Sequence, residues 1–177
     1  MINTLLRRFL TEEDESAPVA GVLDTISATL DRLEPRHARI VAAFAYLLSR
    51  VAHADHEVTP DETAAMERIV REVGGLPDEE ATLVVQLATL QHVQHRGTED
   101  YLVAREFNDV ATPEEKRRLV SCLFAVSASD EHIVTVEDNE IRQIARVLRI
   151  EHAELVRLRS AHRRHLAVLR RNAPGPD

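Results

Sequence analysis

The chain has 177 residues, 44% of them hydrophobic and 29% charged, enough for one sizeable core and too apolar for a disordered segment. Aromatic residues make up 3%, Trp is absent and Gly is scarce, so the core must be built from Leu, Val, Ile and Ala, and strand-and-turn architectures are disfavoured. A net charge of −8 argues against a nucleic-acid binder, and no apolar run reaches the roughly 20 residues of a membrane span.

In chain order, "MINTLLRRFL" predicts a short amphipathic leader helix; it lacks the apolar run and cleavage site of a secretory signal. "TEEDESAP", residues 11–18, reads as an acidic linker. Residues 1–17 are thus leader and linker, 18–171 one helical domain, and "NAPGPD", residues 172–177, a disordered tail.

Within the domain, Ile40, Val41, Phe44, Leu47, Leu48 and Val51 share one face of a helix over about 36–54. Met66, Ile69, Val70 and Val73 face inward on the next, which Gly74-Gly75 ends. Leu83, Val84, Leu87 and Leu90 mark another, and residues 98–110 a shorter one. Leu119, Val120, Leu123, Phe124 and Ser127 mark the next, followed by Ile141, Ile144, Ala145 and Leu148. Leu155, Leu158, His162, Leu166 and Leu169 mark the last.

Thr59-Pro60-Asp61-Glu62 and Thr112-Pro113-Glu114-Glu115 both spell a capping box: Thr at the N-cap, Pro at the first helical position, Glu three residues past the cap. Thr135 with Asp138 is a weaker version. The expected fold is all-α, a compact bundle of about seven to eight helices.

A repeat runs through it. "AHADHEVTPDE", residues 52–62, and "SASDEHIVTVE", residues 127–137, lie 75 residues apart. At that offset Asp55 falls on Asp130, Val58 on Ile133 and Glu62 on Glu137. Leu48 falls on Leu123, Val51 on Val126, Met66 on Ile141, Ile69 on Ile144, Val70 on Ala145 and Val73 on Leu148. Two pseudo-symmetric helix–turn–helix repeats are expected.

In each, an Asp closes one helix and a Glu opens the next, with an apolar plug between them. Converging carboxylates repel unless a cation lies among them, and oxygen donors suit a hard divalent ion. The metal candidates are therefore Asp55, Glu62, Asp130 and Glu137, with Glu57, Asp61, Glu131 and Glu140 as auxiliary ligands or contributors to the field. Equally open is a metal-free reading, in which Glu62 is only the capping partner of Thr59 and Asp55 satisfies turn amides. The spacing is not that of an EF-hand.

"A-D-H-E-V-T-P-D-E", followed by an amphipathic helix and echoed by "S-D-E-H-I-V-T-V-E", resembles the tellurite-resistance TerB family over roughly residues 36–155. The resemblance implies a helical bundle whose acidic surface binds divalent metal, calcium or manganese among the candidates. It also implies an association with stress-response systems and contacts with membrane-linked protein partners; a cytoplasmic protein is expected. The family's acidic positions fall on Asp55, Glu62, Asp130 and Glu137; where it has Gly after each Asp, this chain has His56 and Glu131.

Other chemistry is thinly represented. His92 with His95, and His162 with His165, are spaced i, i+3, but no H-E-x-x-H occurs, and they read as helical surface or half-buried histidines. His53 and His56 flank Asp55, and imidazole there would favour a transition metal. No nucleophile motif, phosphate loop or cofactor fingerprint is present, so a non-enzymatic role is expected. A hydrolase would need His ligands converging with the acids. Cys122, in an apolar run, is expected to be buried and inert. Residues 151–177 carry six arginines against Glu151, Glu154 and Asp177, a net +3, leaving −11 on residues 1–150. Arg157, Arg163, Arg164 and Arg171 are expected on the exposed side of the last helix, facing an acidic partner rather than DNA.

Overall fold

The computed structural model describes residues 26, 28–52, 60–89, 97–129 and 135–171; residues 52, 97–100, 129, 135–137 and 163–171 are described as backbone alone. The leader, the linker and the tail lie outside the described residues. So do His53, Asp55, His56, Val58, Thr59, His92, His95, Asp130, Glu131 and Ile133.

Among the described residues seven helices follow in order: α1 Pro35–Ala52, α2 Pro60–Glu72, α3 Asp78–Thr89, α4 Gly97–Val110, α5 Pro113–Ser129, α6 Thr135–Val147 and α7 His152–Arg171. Ile26 and residues 28–30 are also helical, and no strand occurs among the described residues. The all-α class predicted from composition is the class observed.

The middle of α1 is the axis of the bundle. The sequence predicts one apolar face there, yet Ala42, Ala43, Ala45, Tyr46 and Ser49 are as buried as Val41, Phe44, Leu47 and Leu48. From Ile40 to Ser49 no residue is charged, and a helix apolar all round has neighbours all round. Helix α1 contacts α3, α4, α5 and α6. The alanines let those helices approach closely.

The charges of α1 are kept to its two ends, and each addresses a glutamate on a different helix. Arg36 donates to Glu115 of α5 at 2.7 Å, and Arg39 to Glu106 of α4 at 3.0 Å. His37 Nε2 lies 2.8 Å from Glu80 of α3. At the far end Arg50 reaches Glu140 of α6 at 2.9 Å. The three pairs at the start of α1 are partly exposed and add little energy. The value of all four contacts is geometric: they fix four helices around one axis.

Helix ends follow local chemistry. At the start of α1 the Glu34 carboxylate accepts from the His37 amide at 3.2 Å, with Pro35 as the first helical residue. The predicted box at Thr112 is reciprocal: the Thr112 amide donates to Glu115 Oε2 at 2.6 Å, and the Glu115 amide to Thr112 Oγ at 3.2 Å. Helix α2 ends at Gly74-Gly75 as predicted, with Gly75 at φ 71°. Helix α6 ends differently. Arg149 itself takes φ 58°, its amide donates to Arg146 O, and the Ile150 amide donates to Ala145 O, a Schellman closure with arginine where glycine is usual.

Helix α2 displaced by 75 residues is residues 135–147, the bounds of α6. Under the same offset Leu48 and Leu123, Val51 and Val126, Met66 and Ile141, and Val70 and Ala145 are buried in both copies. Ile69 and Val73 are half-buried where Ile144 and Leu148 are fully buried.

Candidate functional site

Glu62 is the third residue of α2, and Glu137 is the third residue of α6. Asp61 and Glu62 are exposed in the first turn of α2, where the partial positive charge of the helix end favours carboxylates. Glu137 is placed by its backbone alone. Asp55 and Asp130 fall in the segments 53–59 and 130–134, which join α1 to α2 and α5 to α6, outside the described residues. Exposed carboxylates are the donors that hard divalent cations take. Among the described residues no three His, Cys, Asp or Glu side chains converge as a metal cage would require.

Glu140 already has a protein partner. Its carboxylate meets Arg50, whose side chain is only 8% exposed. Arg50 is two residues from the end of α1, and Glu140 is in the second turn of α6. The bridge therefore pins the helix end before the first acidic segment to the helix start after the second. A fixed guanidinium there already lowers the local negative field.

The side chain of Thr135 lies outside the described residues, and Asp138, its partner in the weak box, is 8% exposed. Its Oδ2 accepts from Arg142 Nε at 2.8 Å, and its Oδ1 lies 3.1 Å from Arg159 Nε of α7. Sequence reasoning missed this tie because Arg159 is distant in the chain. The signal available was an arginine one helix turn beyond the half-buried Leu155.

Among the histidines, His162 is half-buried and bonded to Ser121 at 2.7 Å, a helix-to-helix contact between α7 and α5. Arg157 is exposed as predicted and pairs with Glu154 in its own helix; the side chains of Arg163, Arg164 and Arg171 lie outside the described set. Cys122 is fully buried, and burial pushes its thiol far above the ordinary range, as its apolar setting predicts.

Residues 41–160, about two thirds of the chain, match the family described as Tellurite resistance protein TerB. The chain belongs to the TerB family. No curated protein and no solved structure matches it. The TerB match runs from the buried middle of α1 to the half-buried Ser160 of α7, and so spans both acidic segments. Among the described residues of this TerB chain no helix is long and apolar enough to cross a membrane.

Proposed function

We propose that this TerB-family chain is a non-enzymatic, cytoplasmic, stress-associated protein that binds a divalent cation at its acidic interhelical turns and engages a protein partner. Asp55 with Glu62 forms one ligand pair, and Asp130 with Glu137 the other. One observation carries the reading: two helices with the same bounds under a 75-residue offset each bear a glutamate at their third position, and each follows a segment containing the matching aspartate. A duplicated capping device need not repeat the aspartate as well. Calcium and manganese both accept such oxygen donors.

A second reading has its own support. The Thr112 box shares its Thr-Pro-acid-Glu spelling with residues 59–62, and its Glu115 carboxylate is taken up by the cap and by Arg36. In that reading the turns are structural and the protein is a metal-free interaction scaffold. Thermal melts in chelator, calcium, magnesium and manganese separate the two. Cation binding predicts about 2.7 kcal/mol of stabilisation at a hundred times the dissociation constant. Asp55→Asn with Asp130→Asn removes that gain and leaves the helical content intact. Identical melts of wild type and double variant in all four conditions would leave only the scaffold reading.

A further inference from the structure

Away from the acidic turns, α6 and α7 enclose a cleft of about 460 Å³, within the size range of small-molecule sites. Its lining combines two chemistries. Phe124, Ile150, Leu155 and Val156 are apolar, and Val156 is 48% exposed. Arg142 and Arg146 from α6 and Arg159 from α7 are cationic. With Asp138 at its base, the cleft carries a net +2 in a chain of net −8.

The arginines are held ready rather than spent. Asp138 is more than nine-tenths buried, and it anchors Arg142 through Oδ2 and Arg159 through Oδ1. The Oδ1 contact is close enough for charge attraction, but the Arg159 N–H does not point at the oxygen. Both atoms are buried and lack a hydrogen bond, so a donor and an acceptor stand side by side at the base of the cleft without a satisfied partner. Arg146 lies two turns beyond Asp138 on the same face of α6, is exposed, and has no ion pair among the described residues. His152, the first residue of α7, is on the cleft rim, so the positive end of a 20-residue helix opens there too.

We propose that this cleft is a binding site for a small organic oxyanion, a carboxylate or phosphate monoester bearing an apolar body. Guanidinium forks from two helices match the several oxygens of such a head group. Arg142 and Arg159, braced by Asp138, set the direction of approach, and Arg146 supplies a fork with no carboxylate partner among the described residues. The apolar body lies along Leu155 and Val156. This site shares no residue with the proposed cation turns, so either can fail without the other.

The test is a titration of the full chain with phenyl phosphate and with benzoate, followed by amide chemical shifts. Benzyl alcohol controls for the apolar body alone, inorganic phosphate for the charge alone, and a peptide of residues 11–18 for the chain's own acidic stretch. Saturable shifts confined to the amides of about residues 138–159 are expected for phenyl phosphate and benzoate. Binding should be at least tenfold weaker for both single-feature controls, and Arg146→Gln, an exposed change that spares the core, should weaken phenyl phosphate about tenfold. The proposal is overturned if the aromatic anions cause no saturable shift there by about 10 mM, a level that would detect even millimolar affinity. It is equally overturned if Arg146→Gln binds as wild type does, or if the acidic peptide binds and the small anions do not.

Discussion

Arg50 at the end of α1 lays its guanidinium against Glu140 of α6, 2.9 Å away, with 8% of the arginine side chain and 20% of the glutamate exposed. Ninety residues separate them, and the contact ties the end of α1 to α6. Removing one partner of so nearly buried a pair is costly, since the other charge stays desolvated. Arg50→Ala should therefore cost about 2–4 kcal/mol in urea unfolding, and Glu140→Gln less, because a neutral acceptor remains. Loss of under about 0.5 kcal/mol in both would show that the bridge is ornamental.

The Thr112 cap should be worth about 1 kcal/mol, read as the loss in Thr112→Ala. Its partner gives the cap a pH signature. Burial works to raise the Glu115 carboxyl, but the Thr112 amide and the Arg36 guanidinium outweigh it and hold it below its ordinary 4.5. A folded value below the unfolded one stabilises fully above 4.5 and is lost as pH falls through the folded value. The gap in Tm between wild type and Glu115→Gln should be constant above that point and should narrow below it.

Two helix ends predict opposite outcomes for glycine. Arg149 holds a left-handed backbone conformation that glycine adopts without strain, and its side chain is exposed. Arg149→Gly should raise stability by about 0.5–1 kcal/mol, once the added chain entropy is counted. Gly74→Ala should do the reverse. A methyl there would collide with the Val70 carbonyl and come within 3.1 Å of Phe44 Cζ. Denaturation midpoints of the two variants should move in opposite directions.

Cys122 is sealed among apolar side chains, and its thiol is pushed away from ionisation. It should react with a thiol reagent only on unfolding, so the rate should rise with denaturant in step with loss of helix. Labelling of the native protein at the rate of a free thiol would contradict its burial.

What could be read from the sequence was what is local. Periodicity placed the apolar faces, and Thr-Pro-x-Glu and Gly-Gly placed helix ends, because each acts within a turn of itself. Helix α1 was read as one-faced because Ala42, Ala43 and Ala45 carry no strong hydrophobic signal, although ten residues without a charge already implied burial all round. The pairs from Arg36, Arg39 and Arg50 to three other helices, and from Asp138 to Arg159, were illegible, since the spacing of distant residues says nothing of which helices become neighbours. The same is true of the arginine cleft: a basic last helix was visible, but not that α6 would lend it Arg142 and Arg146.

A helix enclosed by four others has a kinetic consequence. The amides of Val41 to Leu48 can meet solvent deuterium only if several neighbours leave at once, whereas the surface turns of α2 can fray alone. The interior of α1 should therefore exchange at the rate set by global unfolding. Its protection would then serve as an internal gauge: a ligand or ion that steadies the whole protein slows exchange in α1, and one that steadies a single turn leaves it untouched.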